Sequence, residues 1–471
     1  MKITLIGLGT DDNDLTLKGK IALDNATKIF ARTALTKSFK SLQNYQVESL
    51  DYLFERSRNF DTLNKKLAKT VLDCAKEQNV VYCVDGAVCE DIACKIILSR
   101  SKNVEVIEGV SKLANASSLA KLKSVQVSGI SAYDINNLKP CHAAVVYDID
   151  GAYIASQVKV ALSDLFGEES PCTFICENKP KKIKIYEIDR QKKYNYSCSV
   201  AVESNKFLTK ERYDYRDLEE IIRLLSAPGG CPWDRVQTKE SIRKNIIEEA
   251  YELVDAINKN DAEMIKEESG DLLLQAAFIT VMQEEIGEFG SMDVTSDVVK
   301  KLIFRHSHIF GKDKATNSDD ALNVWEKNKT VEKHQSTFGE TLLAVPTTFP
   351  ACMRAQKVQK RAAKSGMDFL SPVSAAEKLN EELQELITAV VNEDKMGIEE
   401  ESGDLLFAAI NVCRLAGVDC EQALTQSIDK FTNRFIKCEE LILADGKNMT
   451  DLNELELDYY YVKAKNALKT N

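Results

Sequence analysis

Glu248-Glu249-x-x-Glu252 followed by Glu268-x-x-Asp271 recurs further along the chain as Glu381-Glu382-x-x-Glu385 followed by Glu401-x-x-Asp404. The offset between the copies is constant (382 − 249 = 404 − 271 = 133), and a Ser-Gly precedes the Asp in each. Clustered carboxylates repel one another unless a cation neutralises them. Magnesium suits that role because it takes oxygen ligands and keeps positions open for water and for substrate phosphates. A solvated helix face is the competing reading of one acidic stretch, but matched spacing in two copies favours a duplicated divalent-metal site.

Helical periodicity carries both halves of the pattern. Over 242–257, Ile246, Ala250, Leu253 and Ile257 fall on one stripe, with Glu249 and Glu252 beside it. In the next segment Leu272, Ala276 and Ile279 define the stripe, and Glu268 and Asp271 lie to one side. Four carboxylates per copy could thus line one cleft between two helices. Gly270 and Gly403 sit inside the second acidic turn, where glycine costs about 1 kcal/mol relative to alanine. Close approach of a neighbouring helix or a ligand is the expected reason.

The chain of 471 residues is long enough for two to four domains, and 44% apolar with 29% charged residues is a globular composition. Short β-rich runs at 3–6, 80–84, 104–107, 143–147, 173–176 and 183–188 alternate with helical stretches, which predicts an α/β domain over 1–195. From Tyr213 the pattern is helical throughout. The polar stretch 192–210 reads as a linker, and a second break at 331–350 carries Pro346 and Pro350. The fold class expected is multidomain, an N-terminal α/β domain followed by two all-α helical bundles at 212–330 and 346–468.

Net charge is −11, divided as +4 over residues 1–206 and −15 over the rest. An acidic surface repels phosphate backbones, so no stable nucleic-acid binding is expected and a phosphate-bearing substrate would need a metal bridge. No stretch approaches a membrane span. Thirteen cysteines without a C-x-x-C pair and no signal-peptide pattern predict a cytoplasmic protein with free thiols, Cys172 and Cys176 sharing one strand face. His306 and His308 are expected to pack or meet phosphate, not to bind zinc.

The acidic repeats resemble the MazG family of nucleoside triphosphate pyrophosphohydrolases. Pro228-Gly229-Gly230-Cys231-Pro232-Trp233-Asp234 with Gln237-Thr238, and Lys301-Leu302 with Arg305-His306-x-His308-x-Phe310-Gly311, are similar to that family's flanking signatures. So are Met353 to Arg361 and Lys430-Phe431-x-x-Arg434-Phe435 in the second copy. The resemblance implies magnesium-dependent cleavage of a nucleoside triphosphate into monophosphate and pyrophosphate. It implies metal ligands Glu249, Glu252, Glu268 and Asp271 in copy one and Glu382, Glu385, Glu401 and Asp404 in copy two. Glu248 and Glu381, adjacent to those ligands, are candidates for orienting the attacking water.

Cations for the phosphates must be local in so acidic a region. Lys430 with Arg434, and Arg354 with Lys357 and Arg361, share helix faces, and Trp233 is the candidate to stack on a base. Asn411 stands where copy one has Phe278 and could orient a metal ligand. Copy one also departs from the family at Lys239 and Ser307, so copy two is expected to be the main site. Helical units with half-exposed apolar faces predict a homodimer.

Residues 1–190 resemble the tetrapyrrole (corrin/porphyrin) methylase fold, with altered loops. Gly7-Leu8-Gly9 is followed by Thr10-Asp11-Asp12-Asn13-Asp14 where that family has a Pro-Gly-Asp-Pro type of turn. Val84 to Val88 stands for Pro-Gly-x-Pro, and Glu108-Gly109-Val110-Ser111-Lys112 for Pro-Gly-Val-Ser-Ser. Binding of S-adenosylmethionine is doubtful on those changes, and a retained scaffold or regulatory domain is the preferred reading. An S-adenosylmethionine-dependent methyltransferase and a non-catalytic nucleotide-sensing scaffold are the alternatives to the hydrolase.

Overall fold

The computed structural model describes residues 1–57, 59–333 and 335–468. The chain divides into two compact units, Met1–Ser291 and Met292–Asn471.

The first unit opens with a parallel five-stranded sheet. Its strands are β1 (Ile3–Gly7), β2 (Ile29–Ala31), β3 (Val47–Ser49), β4 (Val80–Val84) and β5 (Val104–Ile107), in the order β3-β2-β4-β1-β5. Ile3-Thr-Leu-Ile-Gly7 and Val80-Val-Tyr-Cys-Val84 are buried along their whole length, as continuous apolar strands covered on both faces must be. Leu67, Val71, Tyr82 and Ile97 fill one side of this sheet, and Leu23, Leu42 and Cys83 the other.

A second sheet comprises β6 (Ser128–Ser131), β7 (Ala143–Tyr147), β8 (Pro171–Cys176), β9 (Lys179–Lys184) and β10 (Ser199–Glu203), in the order β6-β7-β10-β8-β9. Only β6–β7 is parallel. Two expectations are corrected here. The stretch 192–210 is not simply a linker, because Ser199-Val-Ala-Val-Glu203 inserts between β7 and β8 and is almost wholly buried. The run 183–188 is not one strand. Ile183 and Lys184 end β9, and Ile185 and Ile188 lie three apart on a 3-10 turn, Ile185–Arg190, where both pack inward. Cys172 and Cys176 face the same core as free thiols.

Every remaining element of the unit after Tyr215 is helical, with Tyr215–Ser226, Lys239–Lys259 and Ala262–Glu285 as its long helices. The last two form an antiparallel hairpin. Asn260 in the left-handed region ends the first helix, and Asp261 caps the second by accepting from Glu263 N and Met264 N.

The second unit is helical, with helices Ser318–Glu332, Phe338–Leu343, Ala351–Ala363, Pro372–Val391, Lys395–Leu415, Cys420–Ala444 and Glu454–Ala467. Its own hairpin, 372–415, repeats the turn chemistry. Glu393 takes a positive φ, and Asp394 Oδ1 accepts from Gly397 N at 3.2 Å. Ser371 and Pro372 start that hairpin as N-cap and N1, the positions that suit them. No helix among the described residues is long and apolar enough to cross a membrane.

Candidate metal centres

Each hairpin places an acidic turn from its first helix beside one from its second. In copy one, carboxylate oxygens of Glu249, Glu268 and Asp271 lie within 4.8 Å of one another. In copy two the trio is Glu382, Glu385 and Glu401, within the same distance. Four carboxylates per copy were expected to share a cleft. Glu252 and Asp404 are the members left outside the tight groups, and both are exposed.

The apolar stripes differ from the wheel prediction. On Lys239–Lys259 the inward line runs Ile242, Ile246, Glu249, Leu253, Ala256, so Glu249 lies within the packed face and Ile257 is exposed. On Ala262–Glu285 the line passes through Asp271, Gln275 and Phe278, and Ala276 is exposed. The i, i+4, i+7 progression is obeyed; its phase was misjudged because a carboxylate occupies an inward position. Gly270 and Gly403 also differ from expectation. Beyond its own turn of helix, no described atom lies within 4 Å of a Cβ built on either, so helix packing within a unit does not require glycine there.

Electrostatics follow from the grouping. Proton affinity of Glu249 is raised, first by burial and then by Asp271 and Glu252, with Gln275 opposing. Glu268 is raised by burial and by Glu252, Glu267, Asp271 and Glu249, and Glu401 by burial and by Glu385, Glu382 and Asp404. Anions that raise one another's proton affinity are seeking positive charge, and three oxygen donors in reach of one point fit a hard divalent ion.

The copies meet that demand differently. In copy one, Gln275 Nε2 donates to Glu249 Oε1 at 3.3 Å. In copy two, the Lys378 ammonium lies 2.7 Å from Glu382 and 3.0 Å from Glu381, and those carboxylates raise its basicity. Lys378 is a neighbour of the acidic trio that sequence reasoning missed. Its signal was present, a lysine at i−3 and i−4 from the two glutamates, with Asn245 at the equivalent place in copy one.

The other predicted residues are dispersed. Glu248 and Glu381 are exposed beside the trios. Lys430 is exposed and Arg434 half-buried on Cys420–Ala444. Asn411 Oδ1 accepts from Arg414 Nε at 2.9 Å, which ties the amide to its own helix. Trp233 is 59% exposed on a loop. Arg354 is exposed on Ala351–Ala363, while Lys357 and Arg361 line a cavity that includes none of the clustered acids. His306 Nδ1 lies 2.7 Å from the Leu302 carbonyl oxygen.

In the α/β part, the loops after β1, β4 and β5 converge. A Cβ on Gly7 would come within 2.5 Å of Gly109 N and 2.6 Å of Gly86 O, so only glycine permits this approach. Carboxylates at these loops tie them together through hydrogen bonds. Asp14 Oδ2 accepts from Thr10 N and Asp11 N, both at 2.9 Å. Glu90 accepts from Ala87 N, Lys112 N and Leu113 N, and Glu108 from Val88 N. The adjoining cavity is only about 30 Å³, room for a water or two. The Lys112 ammonium lies within it, 2.6 Å from Asp148 and 3.2 Å from Asp85. Arg32 pairs with Asp91 at 2.8 Å beside them.

Comparison with known proteins matches residues 237–310 and 370–438 to the MazG nucleotide pyrophosphohydrolase domain and residues 2–165 to the tetrapyrrole (corrin/porphyrin) methylases. YabN of Bacillus subtilis, an uncharacterized protein, is 29% identical over 481 residues, spanning 98% of each chain. The nucleoside triphosphate pyrophosphohydrolase/pyrophosphatase MazG of Thermotoga maritima is 40% identical over 259 residues, 54% of this chain and 97% of that one. The nucleoside triphosphate pyrophosphohydrolase of Escherichia coli K12 is 40% identical over 247 residues, 51% of this chain and 93% of that one.

Proposed function

This chain belongs to the MazG nucleotide pyrophosphohydrolase family, with a tetrapyrrole methylase domain ahead of its two MazG segments, and we propose that its helical part hydrolyses nucleoside triphosphates to monophosphate and pyrophosphate with magnesium. The observation that carries this reading is the trio Glu382, Glu385 and Glu401 with carboxylate oxygens within 4.8 Å. Magnesium, when bound, would neutralise the polyphosphate and lower the pKa of a coordinated water.

The chain's own residues supply the remainder. Glu382 and Glu401, drawn from two antiparallel helices, hold the charge centre fixed, with Glu385 one turn further along and Asp404 in reserve on the next turn. Lys378, which pairs with Glu381 and Glu382, would be free to turn to a phosphate oxygen if a cation held those carboxylates instead. Glu381 is then left to accept a proton from the attacking water. Lys430 and Arg434 stand one turn apart to receive the phosphates. Glu249, Glu252, Glu268 and Asp271, with Glu248 beside them, form the corresponding site of copy one, and the lysine of copy two makes it the main site. Exposed apolar side chains on both hairpins, among them Ile247, Tyr251, Val254, Leu383, Ile387 and Leu406, support a homodimer.

Product analysis tests the reaction. Incubation of the full chain with canonical and damaged nucleoside triphosphates should release pyrophosphate, not orthophosphate, and only with a divalent ion present. Orthophosphate as first product would refute it. Magnesium at 100 times its dissociation constant should also stabilise the fold by about 2.7 kcal/mol per site, seen as a rise in the unfolding midpoint that shrinks in Glu382→Gln/Glu401→Gln and disappears when Glu249→Gln/Glu268→Gln is added.

For the α/β part we propose a scaffold or regulatory role without S-adenosylmethionine chemistry, because Asp14, Glu90 and Glu108 already occupy backbone N–H groups of the converging loops. Titration calorimetry with S-adenosylmethionine should show no heat of binding; micromolar affinity would restore the methyltransferase reading.

A further inference from the structure

In the second unit, helix Ala351–Ala363 turns Gln359 inward, where its Nε2 donates to the Phe407 carbonyl at 2.7 Å. Lys357, Lys360 and Arg361 lie on another face and, with Lys364 just past the helix end, line a cavity of about 500 Å³. Lys329, from helix Ser318–Glu332, lines it too. Against these five cations the described lining holds one carboxylate, Glu326, already paired with Lys364.

So concentrated a positive charge is out of keeping with a part of the chain that carries −15, and it costs stability if left alone. Lys329 records that cost. Its basicity is lowered, first by burial and then by Arg361 and Arg305, with Glu326 opposing and Lys357 adding to the repulsion. Its ammonium lies 4.9 Å from the centre of the Trp325 ring, a contact that holds it without neutralising it. Thr330, Ser336 and Thr337 line the same space, with their hydroxyls engaged by the Glu326 carbonyl and by Glu340, so the cations carry the binding. Ammonium and guanidinium groups suit phosphate oxygens, and the volume lies in the range of small-molecule sites.

We propose that this cavity binds a diphosphate or triphosphate group directly on Lys329, Lys357, Lys360, Arg361 and Lys364, without a bridging metal and apart from the carboxylate trio. This goes beyond the hydrolytic reading and does not depend on it. Inorganic pyrophosphate and the corresponding group of a nucleoside triphosphate present the same chemistry to the cavity.

Titration calorimetry on the full chain with excess chelator tests the proposal, using inorganic pyrophosphate in one arm and a nucleoside triphosphate in the other. Binding should persist in chelator, weaken as salt rises, and survive in Glu382→Gln. It should fall at least tenfold in Lys329→Gln/Lys360→Gln. Lys360→Gln alone changes an exposed residue, keeps the fold, and should weaken binding severalfold. Equal affinities in the two arms assign the site to the diphosphate group, and a tighter triphosphate adds a nucleoside contact. Absence of binding in chelator, indifference to both lysine variants, or loss in Glu382→Gln would each overturn the proposal. Failure of hydrolysis would instead appear as absent pyrophosphate release with this binding intact.

Discussion

Glu382→Gln is expected to lower pyrophosphate release from a nucleoside triphosphate by about 100-fold or more, with Glu401→Gln similar and Glu249→Gln smaller. An amide is isosteric with the carboxylate but carries no charge, so the change removes one anionic ligand. It also removes one of the two carboxylates that hold Lys378, and the lysine is left on Glu381 at 3.0 Å. Steady-state release of pyrophosphate at saturating magnesium measures the effect. The ordering matters as much as the size: an equal or larger loss in Glu249→Gln would make copy one the principal site, and no loss in any of the three would end the metal assignment. Lys378→Gln adds a separate check. Tighter metal binding with slower turnover is expected, since the ammonium competes with the metal for Glu382 and serves the phosphate afterwards.

Lys112→Met should destabilise the first unit by about 3–5 kcal/mol, the loss that follows when one partner is removed from a buried ion pair. The ammonium is 17% exposed, Asp85 10% and Asp148 15%, so the two carboxylates would face each other with little water. Burial already raises the proton affinity of Asp85, and Lys112 is the largest influence opposing it. In the variant the affinity rises further. A carboxyl whose folded value exceeds its unfolded value favours the folded state at low pH, and that benefit disappears as pH rises through the folded value. The deficit should therefore be larger at pH 7.5 than at pH 5, read from denaturant midpoints at the two values. A loss equal at both would show that Lys112 acts by packing.

These two sites were legible to different degrees. The hairpins that carry the acids were readable because period and caps agree: Asp261 and Asp394 start helices after short turns, and the 133-residue offset ties the copies. The trios inside them were not, because a helical wheel gives angles on one helix and not the rotation of its partner. That rotation placed Glu249 inward and left Glu252 and Asp404 outside the trios. Lys357 and Arg361 share a face as expected, but i, i+4 spacing does not say which neighbour the face meets. Strand Ser199–Glu203 was obscured by the polar residues around it, although Val200, Ala201 and Val202 are buried. The altered loops of the α/β part were visible as added acids and a lysine; their use as internal hydrogen-bond acceptors and counter-ion depends on distances that no spacing encodes.

The place of that strand has a consequence for how the polypeptide comes off the ribosome. Until residues 199–203 emerge, β6–β7 and β8–β9 are two separate pairs with a vacant slot between them. Closing the slot joins residues more than fifty positions apart, a long-range step that is slow compared with local helix formation. Only about a dozen residues then separate the closing strand from the helix at Tyr215. The α/β layer is thus completed by the same stretch of nascent chain that introduces the helical region, and a truncation just ahead of Ser199 would leave open strand edges exposed to aggregation.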